Sequence, residues 1–223
     1  MRTVVFDLDG TLADTSGDLI AAANTCFAGL GLGHPLDPAA DALTAFAGAR
    51  AMLRLGFERQ APGGNEADVD AQYPVLVRAY GAAIDVHTTL YPGAVAAIEA
   101  LLRAGFRTAI CTNKPEDLAQ TLCRSLGIRD LFGALIGADT LPVRKPDPAP
   151  YVAAVTRAGG QVTRSILIGD TVTDRDTARA AGVPVVLVSF GPEGGAVARM
   201  TPDALLAEYA ELPDLAIRLL GRG

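Results

Sequence analysis

The chain has 223 residues, of which 50% are hydrophobic and 20% are charged, so it is long enough for one sizeable hydrophobic core or for a core with a smaller subdomain. Its formal net charge of −6 argues against a basic surface for nucleic acid or for an anionic membrane. No apolar stretch is long enough to span a bilayer, and no signal peptide precedes the first predicted strand. We therefore expect a cytoplasmic protein with no nucleic-acid or membrane partner.

Short apolar runs rich in β-branched residues recur along the chain. They are TVVFD near Thr3, TAICT near Thr108, ALIGA near Ala134, SILIGD near Ser165 and VPVVLVS near Val183. Each run is nearly continuous rather than alternating, which is typical of strands buried on both faces of a parallel sheet. Segments with helical periodicity lie between the later runs: Ala94–Gly105, Pro115–Gly127 and Pro148–Gly160. This alternation predicts an α/β fold with a doubly wound parallel sheet.

The interval from about Ser16 to His87 interrupts that alternation. It contains no convincing strand, but it has Ala- and Leu-rich helical stretches separated by the turn-rich segment APGGNEAD (61–68). An insertion of this length after the first strand is too long for a simple crossover. We therefore predict a small helical cap domain over residues 16–87, inserted into a core domain that comprises residues 1–15 and 88–223.

The first predicted strand ends in two carboxylates, Asp7 and Asp9, followed by Gly10 and Thr11. Because successive side chains of a strand alternate between its faces, Asp7 and Asp9 lean to the same side. Gly10 permits a sharp change of direction, and Thr11 is expected to bond back across that turn. Two carboxylates held close together repel each other unless a positive charge lies between them. The pair on its own fits an acidic turn as well as a functional site.

Polar residues also follow the other predicted strands. Thr112 and Asn113 follow the second, Lys145 lies in the proline-flanked loop VRKPDP, and Asp170 and Asp174 follow the fourth. An open parallel sheet binds its ligands at the carboxyl ends of its strands, near the point where strand order reverses. The sequence therefore predicts that these side chains gather with Asp7 and Asp9 around one crevice.

These motifs resemble those of the haloacid dehalogenase superfamily of phosphatases. DLDGT, TN, the lysine of VRKPDP and GDTVTD occur in the family's order, and the resemblance covers essentially the whole chain. Within the superfamily the chain is most similar to the phosphoglycolate phosphatases, through LYPGA, CTNKP, RKPDP and GDTVTDRDTARAAG. The inserted helical stretch resembles that family's cap.

The resemblance implies a role for each residue. Asp7 would attack phosphorus to form an aspartyl phosphate, and Asp9 would protonate the leaving oxygen and then deprotonate the attacking water. Mg²⁺ would be held by Asp7, the backbone carbonyl of Asp9, and Asp170, with Asp174 binding the metal or its waters. Asp174 is alternatively the N-cap of the following helix, a role compatible with metal binding.

The remaining candidates would contact the phosphate or the rest of the substrate. Lys145 and Thr112 would bind the transferring oxygens, together with backbone groups near Gly10, Thr11 and Asn113. Two roles stay open for Arg50, which would bind a substrate carboxylate or remain a solvated helix arginine. The roles of Asn113 and Lys114 are left equally open.

The expected function is Mg²⁺-dependent hydrolysis of a small phosphorylated metabolite, with 2-phosphoglycolate as first choice, by a monomer or homodimer. A sugar phosphomutase remains possible because it would share both aspartates. A phosphorylation-dependent binding module of the receiver type is the alternative from another class, but such modules are shorter and have no inserted cap. A phosphonate hydrolase would need a lysine in the cap, and no lysine occurs between Ser16 and His87.

Overall fold

The computed structural model describes residues 1–60 and 65–221. The first half of the predicted turn-rich segment, residues 61–64, therefore lies outside the described residues. The chain divides into two compact units. The core unit comprises Met1–Ala13 and Leu90–Gly223, and the helical unit comprises Asp14–Thr89.

The strands confirm the predicted α/β class. In chain order they are β1 (Thr3–Phe6), β2 (Ala13–Asp14), β3 (Thr89–Leu90), β4 (Arg107–Cys111), β5 (Ala134–Ile136), β6 (Ser165–Gly169), β7 (Val185–Val188) and β8 (Ala204–Leu206). Six of them form a parallel sheet in the order β5-β4-β1-β6-β7-β8. β2 and β3 pair separately, where the chain passes between the two units. The strand order reverses between β1 and β6, as in other doubly wound sheets.

The helices alternate with the strands in the core unit. The α-helices of the described residues are α1 (Ser16–Gly29), α2 (Ala42–Phe46), α3 (Ala49–Gln60), α4 (Glu66–Ala82), α5 (Ala94–Arg103), α6 (Glu116–Ser125), α7 (Ala149–Arg157), α8 (Val172–Ala181) and α9 (Leu212–Leu220). Single-turn and longer 3-10 segments occur at Arg129–Leu131, Val162–Arg164, Gly194–Met200 and Tyr209–Glu211. Among the described residues, no helix combines the length and the apolar character needed to cross a membrane.

Both faces of the sheet are covered by helices. Tyr151 and Ala154 of α7 and Ala178 of α8 share a buried cluster with Val5 and Leu167 of the sheet. On the other face, α5 packs against β4 and α9 packs against β6. Burial on both faces explains why the core strands are apolar at every position rather than at alternate ones. The helices leave the carboxyl ends of the strands as the edge where polar side chains collect.

β8 was not predicted from the sequence. It has three residues, Ala204–Leu206, and only Leu206 is fully buried. So short and partly exposed a segment lacks the continuous apolar run that identified the other strands. Pairing with β7 supplies its backbone hydrogen bonds and makes it a strand.

The helical unit has a core of its own. Phe27 of α1 and Phe57 of α3 meet edge to face, with ring centroids 5.2 Å apart. Gly56 lies directly beneath Phe27, where a Cβ would collide with the ring. Asn65 begins α4 with a capping box that also uses Asp68. No strand lies between Ser16 and His87 among the described residues, as the sequence predicted.

A buried carboxylate fastens the two ends of the helical unit together. Asp18 of α1 is 2% exposed and accepts hydrogen bonds from the backbone N–H groups of His87 and Thr88. The hydroxyl of Thr88 donates to the same carboxylate at 2.7 Å. Asp18 therefore joins the first helix of this unit to the segment that leaves it.

Candidate active site

Asp7 follows directly after β1 and is held on both carboxylate oxygens. Its Oδ1 accepts the backbone N–H of Leu8 at 2.7 Å, and its Oδ2 lies 2.9 Å from Nζ of Lys145. Its own N–H donates to the carbonyl of Ile168 on β6, so its backbone continues the sheet. Asp7 is only 9% exposed. The carboxylate is thus fixed at the carboxyl end of the central strands.

Lys145 brings Asp7 and Asp174 together. Its ammonium group is buried and lies 2.7 Å from Oδ1 of Asp174, in addition to its contact with Asp7. The side-chain amide of Asn113 donates to the carbonyl of Lys145 at 3.0 Å, which fixes the backbone of the loop. Burial alone would lower the pKa of Lys145, but the charges of Asp174 and Asp7 outweigh it and raise that pKa. Lys145 is therefore a permanent cation in the site.

Thr11 supports Asp170 rather than its own turn, and Gly10 leaves room for the Asp170 carboxylate. The hydroxyl of Thr11 donates to Oδ1 of Asp170 at 2.7 Å, whereas the sequence predicted a bond within the turn. Gly10 has a φ of 79°, and a Cβ there would collide with the Asp170 carboxylate. The N–H of Gly10 donates to the carbonyl of Ala13. Glycine is needed here both for its backbone conformation and for the close approach of Asp170.

Asp174 is the N3 residue of α8, not its N-cap. The helix begins at Val172 and its N-cap is Thr171, which forms a reciprocal capping box with Asp174. The alternative that made Asp174 the N-cap is therefore wrong, because α8 starts three residues earlier than that position requires. Oδ2 of Asp174 accepts the hydroxyl and N–H of Thr171, while Oδ1 accepts Lys145. Burial opposes ionisation, but Lys145 and Thr171 together lower the pKa of Asp174.

Asp9 and Lys114 form a second ion pair beside the first. Nζ of Lys114 lies 2.7 Å from Oδ1 of Asp9, and the two side chains are 4% and 21% exposed. Phe6 pairs with Ile110 in the register of β1 and β4, so the segments that carry Asp9 and Lys114 follow neighbouring strands. The sequence left Lys114 undecided because this contact depends on that register. The signal in the sequence that could have indicated this contact was the number of residues that separates Asp9 and Lys114 from the ends of their strands.

Thr112 and Arg50 complete the predicted set. Thr112 follows β4 and is 3% exposed, and its hydroxyl oxygen accepts the N–H of Lys114 at 3.1 Å. Arg50 belongs to the helical unit, where it forms an exposed ion pair with Asp70 and lies over the ring of Tyr73. Thr112 thus shares the strand edge of the core unit with the aspartates, whereas Arg50 has partners within its own unit.

Tyr209 is a supporting residue that the sequence reasoning missed. Its hydroxyl donates to the carbonyl of Thr11 at 2.8 Å, and its ring packs against Phe190. Burial, with Asp170 nearby, raises the pKa of Tyr209 well above its ordinary value, so the hydroxyl keeps its proton. Nothing in the local pattern around Tyr209 pointed to this contact, which joins positions 198 residues apart in the chain.

The electrostatics of the cluster favour a bound cation. One carboxylate oxygen from each of Asp7, Asp170 and Asp174 lies within 4.8 Å of the others, and Lys145 is the ammonium that contacts two of them. Burial raises the pKa of Asp7 to about 7, with Lys145 acting against the shift and Asp174 adding to it. Burial, Asp174 and Asp7 raise the pKa of Asp170. These raised pKa values show that ionising all three carboxyls beside a single ammonium is unfavourable without a further positive charge. Hard oxygen ligands of this kind suit Mg²⁺.

The chain is similar to known proteins over most of its length. The sequence profile described as "Hydrolase: haloacid dehalogenase-like hydrolase" matches residues 1–182. Phosphoglycolate phosphatase from Caulobacter vibrioides is 40% identical, and the match covers 98% of this chain and 92% of that protein. Phosphoglycolate phosphatase from Agrobacterium fabrum is 37% identical over 98% of this chain and 94% of the relative. The crystal structure of a predicted phosphoglycolate phosphatase from Haemophilus somnus superposes with a TM-score of 0.83 at 25% identity, covering 96% of this chain and 97% of that one.

Proposed function

The chain belongs to the haloacid dehalogenase-like hydrolase family and is a phosphatase, and on that premise we propose that it hydrolyses 2-phosphoglycolate to glycolate and phosphate through an aspartyl phosphate on Asp7, with Mg²⁺ as cofactor. One observation carries the proposal: Asp7, Asp170 and Asp174 converge around Lys145 at the carboxyl ends of the central strands, with Asp9 beside them. Two carboxylates of separate environments at one strand end suit separate roles in catalysis.

The proposed metal ligands are Asp7, the backbone carbonyl of Asp9, and Asp170. When bound, Mg²⁺ would offset the repulsion between the Asp7 carboxylate and the phosphate dianion. Both oxygens of Asp174 already accept hydrogen bonds from Lys145 and Thr171. We therefore assign Asp174 to holding Lys145 in place and to accepting hydrogen bonds from the waters of the ion. Thr11 orients the Asp170 carboxylate toward the site.

Asp7 is the proposed nucleophile. The Leu8 N–H and the Lys145 ammonium hold its two oxygens, so the carboxylate cannot rotate freely. Attack forms a bond between a carboxylate oxygen and phosphorus and breaks the bond between phosphorus and the ester oxygen. A carboxylate suits this reaction because the resulting acyl phosphate hydrolyses readily. Lys145 also supplies positive charge for the phosphoryl oxygens.

Asp9 is the proposed acid and base. Its carboxyl is more exposed than that of Asp7 and is held by a different lysine, so the two groups have separate environments. Asp9 gives a proton to the departing ester oxygen and then takes one from the water that attacks the aspartyl phosphate. Each step moves one proton, so the enzyme returns to its starting state after one turnover.

The remaining residues are proposed to bind and orient the phosphate. Thr112 has one hydroxyl hydrogen to offer, since its oxygen already accepts the Lys114 N–H. Gly10 and Thr11 would act through the loop they shape, and Asn113 through its bond to the Lys145 carbonyl. We assign the predicted cap domain, residues 16–87, the role of selecting the substrate. Arg50 would bind the glycolate carboxylate by exchanging its partner Asp70.

A panel of phosphate esters tests the proposed function. Purified protein is incubated with 2-phosphoglycolate, hexose 1-phosphates and other small esters, with Mg²⁺ or with EDTA, and free phosphate is measured. We expect the highest kcat/KM for 2-phosphoglycolate, no turnover in EDTA, and no turnover by Asp7→Asn. Absence of phosphate release from every ester would contradict the proposal.

The same experiment separates the two alternatives. Conversion of a hexose 1-phosphate to its 6-phosphate isomer, without free phosphate, would identify a phosphomutase. A stable aspartyl phosphate after treatment with acetyl phosphate would identify a phosphorylation-dependent binding module. Rapid loss of that phosphate is the result expected for the phosphatase.

A further inference from the structure

Lys114 is a buried cation that the proposed mechanism does not use. Its side chain is 4% exposed and its ammonium lies 2.7 Å from Oδ1 of Asp9. Burying an ammonium group is costly unless a charged partner compensates, and a long flexible side chain loses entropy when it is fixed. A lysine held in this way beside a catalytic carboxyl requires an explanation beyond surface charge.

The composition of the chain singles out the same residue. The sequence contains 19 basic residues, and its only lysines are Lys114 and Lys145. All the other basic residues among these 19 are therefore arginines. Lys145 contacts Asp7, and Lys114 contacts Asp9. A compact ammonium differs from the planar, forked guanidinium of arginine in that it binds a single carboxylate oxygen as a point charge.

The backbone of Lys114 is fixed on both sides. Its N–H donates to the hydroxyl oxygen of Thr112 at 3.1 Å, and its carbonyl accepts the N–H of Ala138 at 2.9 Å. The first bond ties Lys114 to the end of β4, and the second ties it to the segment after β5. The ammonium is therefore presented to Asp9 from a rigid base, as precise orientation of a catalytic group requires.

We propose that Lys114 is a positioning residue that holds the Asp9 carboxyl through Oδ1, in the orientation in which this carboxyl exchanges protons with the leaving group and the attacking water. The inference rests on the proposed function, because it concerns the proton transfers of that reaction. The Asp9 carboxyl gives its proton to the ester oxygen as the phosphorus–oxygen bond breaks, and it takes a proton from water as the aspartyl phosphate of Asp7 is hydrolysed. Proton transfer requires heavy atoms about 2.6–3.2 Å apart, so an Asp9 free to rotate is a poorer acid and base.

Substrates with different leaving groups distinguish a positioning role of Lys114 from a merely structural one. Glycolate is a poor leaving group and needs a proton from Asp9, whereas 4-nitrophenolate leaves without one. We therefore expect Lys114→Met to lower kcat for 2-phosphoglycolate by about 10- to 100-fold with little change in KM. The presteady-state burst of 4-nitrophenolate from 4-nitrophenyl phosphate, which reports attack by Asp7 alone, should change by less than about threefold.

A double-mutant cycle with Asp9→Asn tests whether Lys114 acts through Asp9. If it does, Lys114→Met costs almost nothing in the Asp9→Asn background, because the group it positions is already lost. Arg124→Met, which removes an exposed cation from α6, is the matched control and should leave both substrates unaffected. Thermal unfolding of each variant checks folding, and Lys114→Gln replaces Lys114→Met if the latter does not fold.

Three results would overturn the inference: a burst rate with 4-nitrophenyl phosphate that falls as much as kcat for 2-phosphoglycolate, a raised KM for 2-phosphoglycolate with unchanged kcat, or an undiminished loss in the Asp9→Asn background. The second would make Lys114 a substrate-binding residue. Failure of the proposed function is distinguishable from all three, because wild-type protein would then release no phosphate from either ester.

Discussion

Asp7→Asn is expected to stabilise the metal-free protein while it abolishes turnover. The fold raises the pKa of Asp7 from 3.8 to about 7, chiefly by burial. A carboxyl with a raised pKa contributes stability below its unfolded pKa and loses that contribution as pH rises through its folded pKa. Since one pKa unit corresponds to about 1.36 kcal/mol, ionised Asp7 should cost up to about 4 kcal/mol at pH 8. Asparagine keeps the Oδ1 that accepts the Leu8 N–H and carries no charge.

The assay is urea unfolding of wild type and Asp7→Asn in EDTA from pH 4 to pH 8. The variant should match wild type near pH 4 and exceed its free energy of unfolding increasingly up to pH 8. Excess Mg²⁺ should reduce the difference in free energy of unfolding between the variant and wild type, because only wild type has all the proposed metal ligands. Asp130→Asn, at an exposed aspartate, serves as control and should show no such trend. A difference that stayed constant with pH, or a variant less stable than wild type at pH 8, would refute the reasoning.

Three further substitutions follow from contacts in the structure. Gly10→Ala should abolish turnover and lower the free energy of unfolding by about 1–3 kcal/mol, because Gly10 has a φ of 79° and an alanine Cβ there would displace Asp170. An active variant with unchanged Mg²⁺ affinity would contradict this expectation. Asp18→Ala should lower the free energy of unfolding by about 2–3 kcal/mol in urea, since it leaves buried donors unpaired; Asp130→Ala, at an exposed position, is the control. Tyr209→Phe should cost about 1 kcal/mol in urea unfolding through loss of one hydrogen bond, and no measurable loss would show that the bond is not needed.

Much of the fold followed from patterns that are local in the sequence. A strand buried on both faces must be apolar at every position, so β1, β4, β6 and β7 were recognisable as continuous runs. Gly105 and Gly127, which follow α5 and α6, have positive φ, a conformation in which glycine commonly follows the end of a helix. β8 escaped prediction because its three residues become a strand only through pairing with β7.

The candidate site was predictable as a set of residues but not as a set of contacts. Aspartates after β1 and β6 had to meet, because parallel strands end at one edge of the sheet. The sequence did not predict which lysine binds which aspartate. It also did not predict the hydrogen bond from Thr11 to Asp170. These contacts depend on strand register and on loop conformation to within a few tenths of an ångström.

The sequence by itself determined the fold class, the order of the motifs and the residue types at the strand ends, because each depends on neighbours within about a helical turn or a strand. The tertiary structure decided the partners: Lys145 between Asp7 and Asp174, Lys114 on Asp9, and Tyr209 on the loop after Asp9. Those pairs are 29 to 198 residues apart in the chain, and folding alone brings them within hydrogen-bonding distance. Burial of the same groups then shifts their pKa values, a property that no isolated carboxyl or ammonium has.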